Sequence, residues 1–375
     1  MVNEKNRYAC RLASFALLII HCVGLVACGS APDNSGESQQ PDLAAAQKTY
    51  NWKLVTTWPK NLPALGTAPV RFAERVKIMS GGRLNIKVYA AGELVPAFGV
   101  FDAVSQGNAQ MGHGAAYYWR GKIPVAAMFA TVPFGFLPQE MNAWLQYGGG
   151  LELWREAYAP FNLRPMIGGN SGMQMAGWFN TEIKSLADIQ GLKMRIPGLG
   201  GEVFQRAGGI AVATPGSEVF TALQTGVIDA TEWVGPYNDM ALGLHTIGKY
   251  YYYPGWHEPG SALEAIVNID AWNSLPEDLQ MIIDVANTAM NQEMLNEFTA
   301  RNASALRTLV DVHNVQLRKL PDDVLKEFRK IAEVVVRENA QGDKLSQRVY
   351  QSFIDFKKET MAYYAITDKA YAEHR

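Results

Sequence analysis

The sequence has almost no cysteine outside its first residues. Its three cysteines are Cys10, Cys22 and Cys28, so the rest of the chain has no disulfide and no cysteine-based metal site. Its stability must therefore come from the burial of apolar side chains. The chain also lacks any long block of like charge, with 34 basic against 36 acidic residues in 375. This near-neutral balance gives no reason to expect a nucleic acid as a partner.

The N-terminus has the pattern of an export signal. Three basic residues precede a mostly apolar stretch, Phe15–Ala27, which is shorter than the roughly 20 residues that a membrane span needs. Small residues then lead into Cys28, as in a bacterial lipobox, where the cysteine is lipidated and becomes the new N-terminus. We expect residues 1–27 to be a signal peptide and Cys28 to be a lipid anchor. The alternative is simple secretory cleavage near Ala27.

The remaining chain has the pattern of a tethered α/β protein. Residues 28–49 are rich in Ser, Gly, Pro, Asp and Gln without apolar periodicity, which predicts a flexible tether. From Tyr50 onward, strand-like and helix-like segments alternate, and this order is typical of parallel or mixed sheets. The length suits two α/β lobes rather than one core.

An internal similarity supports the two lobes. Residues 100–110 resemble residues 219–229, and each copy has the pattern of a helix, a glycine and a following strand. The spacing is too long for a solenoid repeat, so the similarity suggests one such unit in each lobe. Chance resemblance between common residue types is the alternative.

The C-terminal third is predicted to be mostly helical. Apolar spacing indicates a long helix from Pro276 to about Asp311, followed by helices over 322–340 and 343–370. The last of these extends beyond what the boundary of a lobe requires. Helices of that kind often dock on a partner subunit.

Motifs of catalysis are absent from the sequence. There is no hydrolase elbow, no P-loop and no pair of histidines at zinc-binding spacing. A histidine that stands alone is more often a hydrogen-bonded structural residue than a functional one. We therefore expect a binding protein and not an enzyme.

Arg195 is a candidate for recognition of an anion. It lies at a predicted strand end beside a glycine turn, in the segment Gly191–Pro197. A guanidinium group in such a place can hold a carboxylate through two parallel hydrogen bonds. The alternative is an ion pair at the surface.

Two acidic residues suggest a cation near Arg195. Glu232 precedes Trp233 where a strand runs into a proline turn, and Glu264 lies in an otherwise apolar strand. Glu264 cannot be both buried and ionised without a partner, and a cation is the simplest one. Hard cations prefer oxygen ligands. Glu232, Glu264 and the amide oxygen of Gln174 can supply them.

Several stretches together resemble one family. From about Tyr50 to Asn291, the chain resembles the substrate-binding subunit of TRAP transporters, the tripartite ATP-independent periplasmic systems, and most of all its α-keto-acid-binding branch. The similar stretches are TTWPKN (56–61), YAAGELVPAFGVFDAV (89–104), AAYYWRGK (115–122), VPFGF (132–136), GGNSGMQMAGWFN (168–180), GLKMRIPGLGGEVF (191–204), ALQTGVIDATEWVGPYND (222–239) and YYYYPGWHEPGSALE (250–264).

The resemblance implies a fold. It is an α/β, two-lobed periplasmic binding protein of the hinged Venus-flytrap kind, with mixed sheets, a long helix that spans both lobes and an extended C-terminal helix. Lobe I is expected over 50–172 with a return over 261–300. Lobe II is expected over 173–260 with parts of 301–340. The final helix, 341–375, resembles the swapped helix of dimeric keto-acid binders.

The resemblance also implies roles for individual residues. Substrate contacts are expected from Tyr117, Tyr118, Gln174, Arg195, Trp233, Glu264 and, as a weaker candidate, Asn170. Metal ligands are expected from Gln174, Glu232, Trp233 (through its backbone oxygen) and Glu264.

The expected function follows from these roles. The chain would capture a small 2-oxo or 2-hydroxy monocarboxylate such as pyruvate together with a metal cation, Na⁺ or alternatively Ca²⁺. It would act as a periplasmic homodimer and deliver the acid to a sodium-driven TRAP permease in the membrane. The alternatives are a C4-dicarboxylate or an aromatic acid in the same fold, and a metal-dependent hydrolase that uses Glu232 or Glu264 as a base. A single pocket arginine argues against a dicarboxylate, and no nucleophile or acid supports a hydrolase.

Overall fold

Two mixed β-sheets with helices packed around them form the part of the chain that the structure describes. The structure is a computed structural model, and it describes residues 48–375. The predicted signal peptide (1–27), the predicted anchor Cys28 and nearly all of the predicted tether (28–49) lie outside the described residues. Residues Gln47–Arg375 form one compact unit.

The strands lie close to the segments in which apolar and polar residues alternate in the sequence. They are β1 (Tyr50–Thr56), β2 (Leu84–Tyr89), β3 (Met111–Gly114), β4 (Leu163–Asn170), β5 (Gly177–Phe179), β6 (Lys193–Arg195), β7 (Ile210–Val212), β8 (Ala230–Thr231), β9 (Tyr250–Tyr253), β10 (Ala262–Asn268) and β11 (Gln316–Lys319).

The helices take up about half of the described chain. They are α1 (Ala68–Met79), α2 (Val100–Ser105), α3 (Ala126–Ala130), α4 (Pro138–Tyr147), α5 (Gly150–Tyr158), α6 (Gly198–Arg206), α7 (Gly216–Gln224), α8 (Pro236–Ala241), α9 (Ile269–Asn273), α10 (Glu277–Asp311), α11 (Asp322–Asn339), α12 (Lys344–Ile366) and α13 (Asp368–Ala372).

The first sheet has the strand order β2-β1-β3-β10-β4. Strands β1, β2 and β3 are parallel, whereas β10 runs antiparallel to both of its neighbours. Leu54 and Val55 of β1 have no exposed surface, as expected for parallel strands that are covered by helices on both faces.

The second sheet has the order β11-β9-β5-β8-β6-β7. Strand β5 runs antiparallel to β8 and β9, and the other pairs are parallel. Both sheets are therefore mixed, which confirms that part of the predicted fold. The division of the chain into lobes with the expected boundaries stays a prediction.

The chain passes from the first sheet to the second between β4 and β5, and it returns between β9 and β10. We call these two connections, residues 171–176 and 254–261, the crossing segments. They bring side chains from distant parts of the sequence to the region between the sheets.

The internal similarity of the sequence corresponds to similar local structures. Helix α2 leads through Gly107 to β3 of the first sheet, and α7 leads through Gly226 to β8 of the second sheet. Both glycines have a left-handed backbone, with φ of 75° and 74°, which a residue with a side chain rarely adopts. The structure thus has one helix–glycine–strand unit for each sheet.

The two predicted long helices are present. Helix α10 packs against α1 and β4 on the side of the first sheet and against α8, which follows β8 of the second, so it spans both. The predicted C-terminal helix is divided at Thr367 into α12 and α13. The ring of Phe353 in α12 packs on Phe136 at a centroid distance of 4.2 Å, which fastens α12 to the body of the protein.

None of the helices formed by residues 48–375 combines the length and the apolarity that a bilayer crossing requires.

Candidate functional site

A small cavity lies where the crossing segments meet the ends of the two sheets. We call it the central cavity. The space in it that a water molecule can occupy is about 10 Å³, enough for about one water, so a ligand can enter only when the lining side chains move apart. Its lining residues are Trp58, Leu65, Tyr117, Tyr118, Ser171, Gln174, Arg195, Trp233, Val234 and Leu263.

Arg195 is the buried cation of this cavity. It is the last residue of β6, and only 1% of its surface is exposed. Its Nη1 donates to the carboxylate of Glu232 and, at 3.3 Å, to the Glu232 carbonyl. Its Nε donates to the carbonyl of Thr214 at 3.2 Å. These three contacts orient the guanidinium rigidly, as recognition of a planar anion requires.

The second guanidinium nitrogen of Arg195 points to the tyrosines. Its Nη2 has only a long contact of 3.4 Å, to the hydroxyl of Tyr118, within the described residues. The guanidinium also lies 5.0 Å from the ring centre of Trp233. Burial has the largest single effect and opposes the charged form, but Glu232, Tyr118, Tyr117 and Glu258 together outweigh it, and the pKa of Arg195 lies above its usual value. Arg195 therefore keeps its charge and has a donor to offer a ligand.

Two buried acids and a histidine form a cluster beside Arg195. Oxygen or nitrogen atoms of Glu232, His257 and Glu258 lie within 4.8 Å of one another, and all three residues are buried. Gln174 donates from Nε2 to Glu258 at 2.8 Å, and the hydroxyl of Ser261 donates to the same carboxylate. Burial, followed by the negative charge of Glu232, raises the pKa of Glu258 to about 7.

This cluster has the donor set of a site for a hard cation. The two carboxylates together exceed the single positive charge of Arg195. Within the described residues, the side-chain oxygen of Gln174 accepts no hydrogen bond. Neither ring nitrogen of His257 makes a hydrogen bond there, although its Nε2 lies 3.5 Å from the Glu232 carboxylate. Buried polar atoms without partners are uncommon in folded proteins. Carboxylate and amide oxygens are the ligands that Na⁺-like and Ca²⁺-like ions take, so the residues fit a cation.

Aromatic side chains close the rest of the cavity. The rings of Trp58 and Trp233 meet edge to face at 6.4 Å, and Trp58 lies 6.3 Å from Tyr118. The indole of Trp58 donates to Nδ1 of His113 at 2.7 Å, and His113 in turn contacts the Gly168 carbonyl at 2.9 Å. Burial lowers the pKa of His113 to about 4, so the ring is neutral and can accept from Trp58.

Asp239 holds the segment that follows Glu232 and Trp233. Its Oδ1 accepts from the backbone N–H groups of Val234 at 3.2 Å and Gly235 at 3.0 Å. Its Oδ2 accepts from Trp178 at 3.0 Å and from the Tyr251 hydroxyl at 2.8 Å. Burial raises the pKa of Asp239 to about 6. These four bonds fix the backbone that carries two of the site residues.

The structure brings most of the sequence-predicted site residues together. Tyr117, Tyr118, Gln174, Arg195 and Trp233 line the central cavity, and Glu232 lies against Arg195. Their roles towards a substrate or a metal stay predictions.

Asn170 lies outside this group. It is fully buried at the end of β4, where its Nδ2 donates to the Pro138 carbonyl and to Asn142, both at 3.2 Å. Its Oδ1 accepts from the backbone N–H of Gly172 at 2.9 Å. Asn170 thus shapes the start of the first crossing segment and does not line the cavity.

Glu264 also lies outside this group. Its carboxylate accepts from the indole of Trp119 and, at 2.9 Å, from the hydroxyl of Tyr158, both in the interior of the first sheet's side. Two neutral donors therefore hold this carboxylate, whereas the sequence suggested a cation as its simplest partner. The expected roles of Glu264 towards a metal and a substrate stay predictions. Burial raises its pKa to about 7. The structure does not bring Glu264 to Glu232 or to the central cavity.

Sequence reasoning did not single out Glu258, the acid that lies in the cluster with Glu232. Glu258 lies on the second crossing segment, six positions before Glu264, and it was available from the sequence as an acid in a turn between two apolar strands. His257 has no second histidine at zinc-binding spacing, so in the sequence it is typical of a structural residue. Trp58, which ends the first strand region, gave no signal except its place in a stretch shared with the family.

The chain matches the family model for bacterial extracellular solute-binding proteins, family 7, over residues 54–343. A curated relative from Nostoc sp., described as a monocarboxylate 2-oxoacid-binding periplasmic protein, is 41% identical over 348 residues, which cover 92% of this chain and 93% of that protein.

Two solved structures are similar over their full length. One is a TRAP periplasmic solute-binding protein from Colwellia psychrerythraea with bound calcium and pyruvate, at 42% identity and a TM-score of 0.85, covering 88% of this chain and 100% of that one. The other is a TRAP periplasmic solute-binding protein from Pseudoalteromonas atlantica with bound sodium and pyruvate, at 41% identity and a TM-score of 0.85, with the same coverage.

Proposed function

The chain belongs to family 7 of the bacterial extracellular solute-binding proteins, and on that premise we propose that it binds a small 2-oxo monocarboxylate such as pyruvate together with a sodium or calcium ion. The observation that carries the proposal is a single buried guanidinium, Arg195, beside two buried acids, Glu232 and Glu258, at one small cavity. The pyruvate complexes of the two similar structures, one with calcium and one with sodium, support the same pairing of ligand and ion.

Arg195 binds the carboxylate of the ligand in this proposal. Its Nη2 is directed to the cavity and has only the long contact to Tyr118, so it can donate to a ligand oxygen without breaking a short bond. Trp58 and the two tyrosines exclude water around the bound carboxylate. A charged contact is stronger in such a dry site than in solvent.

The side-chain oxygens of Glu232, Glu258 and Gln174 hold the cation. When bound, the cation supplies the positive charge that these acids lack and attracts the second oxygen of a 2-oxo or 2-hydroxy acid. Gln174 is suited to this role because its Nε2 is already engaged by Glu258, which leaves its oxygen available. The proposed ligand set thus contains Glu258 in place of Glu264.

The charge of the cavity favours a monocarboxylate. Arg195 is the one basic side chain among the residues that line the central cavity in the described part of the chain. A C4-dicarboxylate would leave its second carboxylate without a cationic partner in a dry site, which is costly.

Contacts between the two expected lobes support their closure on the ligand. Arg120, beside the pocket tyrosines, donates to the Gly198 carbonyl at 3.0 Å and to Glu202 of α6 at 2.6 Å. Asn238 of α8 donates to the Pro63 carbonyl at 2.8 Å. These contacts join the expected lobe I to the expected lobe II, so they would form on closing and break on opening.

Calorimetry on the purified chain tests the proposal. We expect pyruvate and 2-oxobutyrate to bind when Na⁺ or Ca²⁺ is present and to lose most of their affinity when both ions are removed. Succinate should bind more weakly than pyruvate. Pyruvate binding that is indifferent to the ions would contradict the cation site, and tighter binding of succinate would contradict the ligand class.

The proposal also includes the role of the chain. It is a receptor that does not convert its ligand and that hands the ligand to the permease of a TRAP system. Family membership supports it. Recovery of chemically unchanged pyruvate after long incubation with the protein is the expected result. Conversion of the acid to any product would contradict it.

Lipid anchoring through Cys28 and dimerisation complete the proposal. The lipobox pattern supports the anchor, and a Cys28→Ala variant should leave the membrane fraction for the soluble periplasmic fraction. Exposed apolar residues at the C-terminal end support a dimer, since Tyr363 is 67% exposed, Ile366 76% and Tyr371 69%. Replacement of Tyr363 and Ile366 by serine should convert a dimer to a monomer in native mass spectrometry.

A further inference from the structure

The second crossing segment is supported from behind by an unusual loop residue, Phe134. Its φ is 54°, in the left-handed region that residues with bulky side chains rarely adopt. Such a conformation persists where the surroundings determine it by several contacts at once, and it tends to occur near functional sites. Phe134 does not line the central cavity, so a contact with the ligand does not explain it.

Four contacts hold Phe134. Its N–H donates to the Trp256 carbonyl at 2.8 Å, and its ring stacks on the Trp256 ring at 5.9 Å. The guanidinium of Arg329 in α11 lies 5.0 Å from the ring centre of Phe134. The ammonium of Lys357 in α12 donates to the Phe134 carbonyl at 2.7 Å. The backbone N–H and the backbone carbonyl of Phe134 are therefore both hydrogen-bonded. The N–H is held by the second crossing segment, and the carbonyl is held by the C-terminal helix.

Trp256 carries these contacts to the cation cluster. It directly precedes His257 and Glu258 in the chain, and it is 4% exposed. Its ring packs on Phe328 of α11 at 4.4 Å and on the His257 ring at 5.6 Å. Movement of the Trp256 peptide would therefore move the two following side chains, whose oxygen and nitrogen atoms lie in the cluster with Glu232.

We propose that Lys357 is a positioning residue for the cation site: by holding the Phe134 carbonyl it fixes the Trp256 peptide, and with it the direction in which Glu258 faces the cation. The inference rests on the proposed function. It gives the C-terminal helix a part in ligand binding, in addition to its expected part in dimerisation.

The surroundings of Lys357 favour its hydrogen bond to the Phe134 carbonyl. The ammonium lies in a groove with Arg329, Glu140 and Glu333, lined otherwise by apolar side chains of α11 and α12. Burial, and next the charge of Arg329, lowers its pKa, while Glu140 and Glu333 act in the opposite direction. A partly buried ammonium beside another cation is unfavourable unless a hydrogen bond compensates it, and the Phe134 carbonyl is its acceptor.

Lys357→Met tests the inference, with Lys358→Met as the matched control. Lys358 is the next residue of the same helix and is exposed. The measurement is the Na⁺ or Ca²⁺ concentration that gives half-maximal pyruvate binding, by calorimetry on the full chain. We expect Lys357→Met to raise it about tenfold or more, the effect typical of losing a group that orients a metal ligand. Lys358→Met should leave this concentration unchanged. Lys357→Arg keeps a hydrogen-bond donor, so its half-maximal concentration should lie close to the wild-type value.

A second control separates positioning from a general loss of stability. Val349 of α12 is fully buried and lies eight positions, about two helical turns, before Lys357, so Val349→Ala should loosen the helix without removing the hydrogen bond. The inference is overturned if Lys357→Met binds the cation like the wild type within twofold. It is also overturned if Val349→Ala, at an equal fall in Tm, raises the cation requirement as much. A wild-type chain without cation-dependent pyruvate binding would refute the proposed function and this inference with it.

Discussion

Replacement of Arg195 by methionine is the sharpest test of the site. Methionine has a similar length and no charge, so the change removes the guanidinium and little of the packing. The side chain is 1% exposed and donates to Glu232 and to the Thr214 carbonyl, so the loss occurs in a desolvated environment. Removal of one partner from a buried hydrogen-bonded charge pair costs about 2–5 kcal/mol of affinity. At about 1.4 kcal/mol per tenfold, this predicts a Kd for pyruvate that rises about 30- to 4,000-fold.

The same replacement also affects folding. Without Arg195, the Glu232 carboxylate stays buried beside Glu258 without a cation, and breaking a buried pair in this way costs about 3–5 kcal/mol of stability. The double variant Arg195→Met/Glu232→Gln removes both charges and should recover much of that stability. It should still bind pyruvate poorly, so the two variants together separate the loss of binding from the loss of folding.

The assay is calorimetric titration with pyruvate at saturating Na⁺, with urea unfolding of each variant in parallel. Arg206→Met is the matched control, because Arg206 lies at the end of α6 and is largely exposed in its ion pairs with Glu202 and Glu338. That variant should bind like the wild type. A Kd for Arg195→Met within threefold of the wild-type value would refute the assignment of Arg195 as the carboxylate-binding residue.

Three further predictions follow from the same geometry. The pKa of Glu264 is raised from 4.5 to about 7, so the folded state binds the extra proton and stability falls as pH rises between these values. Between pH 4.5 and pH 8, the free energy of unfolding of Glu264→Gln should therefore rise by about 3 kcal/mol relative to that of the wild type, as measured by urea unfolding, while its pyruvate affinity stays unchanged. The same pH dependence of stability in both proteins would count against this prediction. Glu258→Gln should raise the half-saturating cation concentration at least about tenfold in calorimetry, whereas an unchanged value would remove Glu258 from the ligand set. Trp58→Ala removes an apolar wall of the cavity, so the ratio of the Kd of 2-oxopentanoate to the Kd of pyruvate should fall at least about tenfold, as expected when one or more extra methylene groups are accommodated. A constant ratio would show that Trp58 does not limit the length of the ligand's aliphatic chain.

Much of the secondary structure could be predicted because its signals are local. The apolar spacing over 276–311 predicted a helix that the structure has at Glu277–Asp311. The alternation of the apolar residues Leu84, Ile86 and Val88 with polar neighbours is likewise typical of the strand found there, β2. Glycines at 107 and 226 marked two helix ends, since each adopts a backbone that other residues avoid. The break at Thr367 between α12 and α13 was missed, because no proline or glycine marks it.

The residue types of the site were also visible in the sequence. An arginine at the end of a strand, an acid beside a tryptophan and a pair of tyrosines each stood in a stretch similar to the family. These residues come from β6, from the turn after β8 and from a short 3₁₀ helix, Ala116–Trp119. Their chemistry could be inferred one by one, since a guanidinium suits a carboxylate wherever it is placed.

The choice between Glu258 and Glu264 depended on the tertiary structure alone. Both acids belong to one short stretch, and both are fully buried. Glu264 lies within β10 next to an irregularity in its pairing with β4, and its carboxylate meets Trp119 and Tyr158. Glu258 lies on the crossing segment and meets Gln174 and the Glu232 cluster.

The sequence by itself determined the elements and the chemical groups, because helix and strand periodicity and side-chain chemistry are properties of neighbouring residues. Only the tertiary structure decided which groups meet, because the partners come from elements far apart in the chain, such as Trp119 and Glu264 at a separation of 145 positions. A buried carboxylate is stabilised either by neutral donors or by a cation. Which of the two it finds depends on the direction of its side chain in the fold.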